Sequence, residues 1–278
     1  MSVVGIDVET IAKLKTQFDA AGYCVASGLF TAEEAARIRE AFMAANENGP
    51  IPGISEINSA YTVDDPLSFY PRMMQPHRHP ELSVGPLSVS YMLDARVGAI
   101  LAALFEEEPI AAQTMFYFKP AGARGQDLHQ DNYYLRVQPG TCIAAWTAID
   151  AADEENGGLM VVPGTHKLPV ACPERADPNR FFTTDHVEVP EGKSVVPVRM
   201  QAGDVLFFNG SLIHGSYENT SSNRFRRAFI CHYVPASCAE VSTGYRPLLQ
   251  FSGEAVTREG ATGGGPCGTP QGRELALH

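Results

Sequence analysis

"DLHQDNYYLRV", residues 127–137, sets His129 and Asp131 two positions apart at the head of an aromatic, β-favouring run. A strand sends residues i and i+2 to one face, roughly 7 Å apart, so such a pair can aim two ligands at one ion. The same interval recurs in "HPE" (His79, Glu81) and "HVE" (His186, Glu188). In the first, Pro80 removes a ladder donor and the segment reads as loop. The second lies inside "LPVACPERADPNRFFTTDHVEVPEGK", residues 168–193, a proline-punctuated stretch of a length found in functional or mobile loops. Only His129 and Asp131 are flanked by credible strands and followed by a distal histidine in strand context, His214 in "GDVLFFNGSLIHGS".

Alone, His214 reads as a hydrogen-bonded core or turn histidine. With His129 and Asp131 it completes two imidazoles and a carboxylate, the set that binds non-haem Fe(II) on one face and leaves three positions open. The remaining histidines read as structural: His166 caps a turn, His232 is buried on a late strand, and His77 and His278 carry no signal.

Outward from this stretch, residues 111–119, 127–137, 141–149, 158–163, 194–200, 204–209, 211–214 and 225–234 read as short strands separated by turn signals. That density predicts a β-sandwich or small barrel. Upstream the texture is helical. "VETIAKLKTQFDAAG" has helical period and stops at Gly22, "YCVAS" is strand-like, and a second helix starts with Thr31 and Glu34 in capping-box spacing. Residues 49–90 lack a clear period and read as a long loop, and "ARVGAILAALF" (95–105) as a buried helix. The glycine-rich tail from 252 is expected to lack regular structure. The expected organisation is one domain over 1–278: helices and a lid loop over 1–110, a β core over 111–235 interrupted at 168–193, and an extension over 236–278.

The chain of 278 residues can bury a substantial core. Its 21 basic against 32 acidic residues give a formal charge of −11. Clustered basic residues are what nucleic-acid and anionic-membrane binders require, so neither partner is expected. The six cysteines show no CxxC pair or finger spacing. No signal peptide is evident at the start, and no apolar stretch is long enough for a membrane span. The expectation is a cytoplasmic protein with reduced thiols.

"DLHQDNYYLRVQPGTCIAAWTAIDAADEENGGLMVVPGTHK", "AGDVLFFNGSLIHGS" and "RFRRAFICHYVP" together resemble the phytanoyl-CoA dioxygenase family of Fe(II)/2-oxoglutarate oxygenases. "GYCVASGLFTAEEAARIREAF" resembles that family's N-terminal helical region, and the likeness covers roughly residues 10–250. It implies a mainly β fold with flanking helices, a double-stranded β-helix of the cupin-like jelly-roll type. By resemblance, His129, Asp131 and His214 would bind Fe(II), with 2-oxoglutarate and O2 as cosubstrates. The far carboxylate of 2-oxoglutarate calls for a guanidinium. The family's interval from the distal histidine falls on Phe225, between Arg224 and Arg226. Alternation with Ala228, Ile230 and His232 selects Arg226 and leaves Arg224 and Arg227 as surface charges. Ser216 matches a family position that can bond the same carboxylate, and Gln113, Met115 and Trp146 match positions beside the cosubstrate. For Met115 and Trp146, plain core packing is the competing reading.

Tyr117, on the Gln113 face, and Tyr133 and Tyr134 are candidates for substrate contact; 49–90 and 168–193 are the candidate lids. Arg72, Arg175 and Arg180 could read an anionic substrate or be surface. Related halogenases replace the carboxylate with a small residue to admit chloride, so Asp131 implies hydroxylation or a related C–H oxidation. No basic cluster suits a CoA phosphate, which favours a small metabolite or natural-product intermediate. A cupin-type metalloenzyme that does not use 2-oxoglutarate, or a non-catalytic binding protein on the same barrel, are the alternatives.

Overall fold

The structure is a computed structural model describing residues 2–3, 5–57 and 61–261. The tail beyond residue 261, expected to be irregular, lies outside the described residues. Helix α1 (Val8–Ala21) starts where the Asp7 side chain accepts from the Thr10 N–H and stops at Gly22, whose φ of 86° lets it turn left-handed. Strand β1 (Tyr23–Ala26) follows. Helix α2 (Ala32–Ala45) carries the capping box between Thr31 and Glu34. Helices α3 (Val84–Met92) and α4 (Ala95–Phe105) complete the helical layer.

The strands are β2 (Pro109–Tyr117), β3 (Gln126–His129), β4 (Ile143–Ala148), β5 (Leu159–Val161), β6 (Val196–Val198), β7 (Val205–Asn209), β8 (His214–Ser216) and β9 (Ala228–Pro235). They form two sheets. The larger has eight strands and runs β2-β9-β4-β7-β1 through its middle, extended beside β2 by Leu248–Leu249, Ala255–Val256 and Met73–Met74. The smaller has four, ordered β6-β5-β8-β3. These antiparallel sheets facing one another are the jelly roll expected from the sequence.

Strand alternation decides what each side of the large sheet touches. Phe116, Ile143, Ala145, Phe207, Phe229 and Cys231 point outward and pack with Phe18, Ile38, Phe42, Met92 and Leu101 of the helices. Met115, Tyr117, Ala144, Trp146, Leu206, Phe208 and Ile230 point inward to Leu159 and Val161 of the small sheet. The large sheet is thus buried on both faces, which is why its strands read as continuous apolar runs.

Several boundaries differ from the sequence reading. Residues 49–90 are not all loop. They hold a helical turn (Pro66–Phe69), the Met73–Met74 strand and the start of α3, elements too short to carry a period. The run at 127–137 leaves the sheet at His129 and becomes a helical turn over Asn132–Leu135, so Tyr133 and Tyr134 are not on a strand. The distal strand begins at His214 rather than ending there, and β9 starts at Ala228, past Arg226. The 168–193 stretch contains a two-stranded hairpin, Glu174–Arg175 with Asp185–His186, fastened to β3 by the Val187 N–H on the Leu128 carbonyl at 2.7 Å. The thiols are not all reduced: Cys24, Cys142, Cys231 and Cys238 are free, whereas Cys172 is disulfide-bonded. Among the described residues no single helix is long and apolar enough to cross a membrane.

Phe42 of α2 stacks on Phe116 of β2 with ring centroids 4.0 Å apart, and both are fully buried. Phe42→Ala is expected to cost about 3–5 kcal/mol by opening a cavity between helix and sheet. Denaturant unfolding checks this; a cost within about 1 kcal/mol would mean that α2 is not essential to the layer.

Candidate active site

His129 ends β3 and His214 begins β8, directly opposite each other across the pair. Asp131 lies past the strand end, heading the turn whose Leu135 N–H returns to its carbonyl. One ligand atom from each of the three converges within 4.8 Å of the others, and all three residues are buried. The Asp131 Oδ1 atom is 3.5 Å from His129 Nε2 and 3.4 Å from His214 Nε2.

Backbone carbonyls fix the imidazoles. His129 Nδ1 lies 2.6 Å from the Asp127 carbonyl and His214 Nδ1 lies 3.0 Å from that of Leu212. A carbonyl only accepts, so each Nδ1 carries the proton and each Nε2 presents its lone pair to the centre. Burial lowers the His214 pKa to about 4, which keeps that ring neutral. Two lone pairs and a carboxylate oxygen facing one point is the donor set of a divalent transition metal.

A narrow cavity extends from this cluster between the sheets, with Met115, Trp146, Ser216 and Arg226 in its wall. Arg226 is 1% exposed and makes no ion pair among the described residues. Its Nε donates to the Gly157 carbonyl at 2.8 Å, its guanidinium carbon sits 5.3 Å from the Trp146 ring, and its Nη1 has no hydrogen-bond partner. Burial holds its pKa down to about 10. A desolvated cation with an unused donor is the expected counterpart of an anionic ligand group.

Beside it, Lys119 Nζ reaches Ser216 Oγ at 2.8 Å, the Gly157 carbonyl at 3.4 Å and the Tyr217 carbonyl. Burial, and after it Arg226, push the Lys119 pKa well down, so an anion in the cavity would favour its charged form. Ser216 Oγ also accepts the Gln126 N–H at 3.2 Å. With the ammonium and this amide on its two lone pairs, the Ser216 hydroxyl is left to donate.

Other sequence candidates are placed elsewhere. Gln113 is not in the cavity wall; its Nε2 meets His232 Nδ1 at 3.2 Å, and His232 Nε2 meets Asp131 Oδ2 at 2.9 Å. Tyr133 and Tyr134 also lie outside this wall, and the Tyr134 hydroxyl is tied to Asp185 of the hairpin. Tyr117 and Arg226 border both this cavity and a second one, walled by Tyr61, Tyr70 and Arg72 from 49–90 and Phe182 from 168–193. Arg72 is paired with Glu56 and donates to the Tyr117 hydroxyl at 2.8 Å, while Arg175 and Arg180 are exposed. Arg224 pairs with Asp153 and Glu155, and Arg227 with Asp150. His79 meets its own Glu81, and His186 meets Asp127 rather than Glu188. Lys119, Gln126 and His232 are site residues that the sequence reading left without a role. Lys119 and His232 did share strand faces with Met115 and Arg226, which was the available signal.

The sequence profile described as phytanoyl-CoA dioxygenase (PhyH) matches residues 18–228. A phytanoyl-CoA dioxygenase of Arabidopsis thaliana is 31% identical over 157 residues, 54% of this chain and 53% of that protein. The chain thus spans about half the length of the curated relatives it matches. Among solved structures, the epimerase SnoN in complex with Fe3+, alpha ketoglutarate and nogalamycin RO has a TM-score of 0.65 at 21% identity, covering 87% of this chain and 88% of its own. EvdO2 from Micromonospora carbonacea var. aurantiaca, complexed with 2-oxoglutarate, has a TM-score of 0.60 at 20% identity, covering 84% and 93%. With the profile spanning most of the chain and the fold matching these structures, the chain belongs to the phytanoyl-CoA dioxygenase family.

Proposed function

We propose that this chain, acting as one oxygenase unit, is an Fe(II)/2-oxoglutarate-dependent dioxygenase that oxidises an unactivated C–H bond of a small metabolite or natural-product intermediate. The observation that carries the reading is the pairing of two complementary ends in one cavity: three convergent ligand atoms at one end, and a buried guanidinium with an unused donor at the other. His129, Asp131 and His214 would hold Fe(II); Arg226 and Ser216 would take the far carboxylate of 2-oxoglutarate, with Met115 and Trp146 against its chain. Bound there, Fe(II) with 2-oxoglutarate and O2 supplies the oxidising power, and the cosubstrate leaves as succinate and CO2.

The chain's own residues orient and exclude. The apolar wall of Leu159, Phe208 and Ile230 keeps water from the cosubstrate, and backbone carbonyls hold both imidazoles in the ligating tautomer. The second cavity, roofed by the two candidate lids, is the proposed substrate chamber, with Tyr117 at its junction with the first. Tyr134, edge-on to His129 and bonded to Asp185 of the hairpin, and Tyr133 packed against it are the further candidates for substrate contact. Arg72 is neutralised by Glu56, which fits a substrate whose buried part is uncharged better than an acyl-CoA head group.

Under anaerobic conditions, Fe(II) plus 2-oxoglutarate is expected to give a weak visible charge-transfer band. Arg226→Ala should weaken 2-oxoglutarate binding roughly 10- to 100-fold, the worth of a charged hydrogen bond, while Arg224→Ala leaves it unchanged. The reverse pattern would overturn the anchor, and metal binding without any band would favour a metalloenzyme that does not use 2-oxoglutarate. If Lys119 sets Ser216 as a donor, Lys119→Met and Ser216→Ala each weaken 2-oxoglutarate binding and the double variant is no worse than Ser216→Ala. Fully additive losses in binding titrations would show that Lys119 acts independently of Ser216.

A further inference from the structure

His232 and Gln113 face each other as register partners on β9 and β2, with Ala144 opposite His232 on the other side. The alanine leaves the imidazole room inside the barrel. Both polar residues are buried, His232 to 1% exposure and Gln113 to 0%. Their hydrogen bonds run in one direction. An ionised carboxylate only accepts, so the contact at 2.9 Å between His232 Nε2 and Asp131 Oδ2 requires the proton on Nε2. In the neutral ring Nδ1 is then an acceptor, and it is met at 3.2 Å by the Gln113 amide nitrogen, which only donates.

Asp131 has two oxygens with different surroundings. Oδ2 faces His232, whereas Oδ1 lies between the Nε2 atoms of His129 and His214. We propose that Gln113 and His232 form a buried two-step clamp that holds Asp131 with one oxygen committed to the metal site and the other withheld from it. This rests on the metal-site reading of the preceding section. His232 is a positioning residue that acts through Asp131, and Gln113 acts through His232 by fixing its ring orientation and tautomer. The resemblance placed Gln113 against the cosubstrate; its contact with His232 puts it behind the carboxylate instead. The clamp favours single-oxygen coordination. A carboxylate free to rotate could bind through both oxygens and occupy a position that the cosubstrate and O2 need. Partners of this kind behind a metal ligand commonly contribute 10- to 100-fold in metal affinity or activity.

The test compares His232→Leu, His232→Gln and Gln113→Leu with the wild-type protein. Fe(II) affinity is measured by anaerobic competition with a chromophoric chelator, alongside the thermal midpoint of each metal-free protein. Leucine removes the donor. Glutamine keeps an amide N–H the same number of bonds from Cα as His232 Nε2. The expected result is Fe(II) binding weakened roughly 10- to 100-fold in His232→Leu, with most of the loss restored in His232→Gln. Gln113→Leu should show a smaller loss in the same direction. Wild-type affinity in His232→Leu would overturn the proposal, as would a His232→Gln variant no better than leucine, since that outcome assigns the residue to packing. If His232→Leu does not fold, His232→Gln near wild-type affinity together with weakened Gln113→Leu supports the clamp, and the opposite order overturns it. A wild-type protein without specific Fe(II) binding would instead remove the metal-site reading itself.

Discussion

Three acceptors are aimed at one buried point: two imidazole lone pairs and an aspartate oxygen, with backbone carbonyls holding the only imidazole protons on the far side of each ring. Without a cation this arrangement is repulsive, and the surrounding protein has to hold it together. The rest of the architecture serves that constraint. The cross-strand pairing of β3 with β8 brings the histidines opposite each other, and the turn at Asn132–Leu135 returns Asp131 toward them. The large sheet supplies the floor, stiffened by helices packed on its outer face.

The same logic recurs at the other end of the cavity with opposite sign. Arg226 is a buried cation and Lys119 beside it a buried amine whose charged form an anion would favour, with no acid in ion-pair contact with either among the described residues, while Arg224 and Arg227 are paired with Asp153 and Asp150. Proteins rarely leave a guanidinium desolvated with an unused donor unless a ligand completes it. A metal-hungry end and an anion-hungry end, set apart inside one apolar tube, match a cosubstrate with a chelating head and a distant carboxylate.

Much of this was legible in the chain because strand alternation is a strong code. The resemblance set Met115 and Trp146 beside the cosubstrate, alternation along the resembling strand selected Arg226, and all three border the cavity. The limits are equally physical. Asp131 lies beyond the strand that was to present it, and a helical turn rather than the pleat completes its approach. Tyr133 and Tyr134 lie on a helical turn rather than a strand and outside the cavity wall, with Tyr134 edge-on to His129 at 6.5 Å between ring centroids and its hydroxyl on Asp185 of the hairpin. His232 read as an ordinary core histidine because its partner is far away in sequence, and only the folded sheet shows the contact. Residues 49–90 looked like loop because their elements are too short for any period to emerge. Arg72 reads from sequence as an anion-recognising or a surface arginine, since nothing local announces its bond to Glu56.

The most direct measurement is a crystal structure grown anaerobically with Fe(II) and 2-oxoglutarate, with anomalous data collected at the iron edge. The account requires one iron peak in contact with His129 Nε2, His214 Nε2 and a single oxygen of Asp131, and a cosubstrate whose far carboxylate rests on Arg226 Nη1 and the Ser216 hydroxyl. An iron peak away from these three residues, or a carboxylate seated on Arg224, would contradict it.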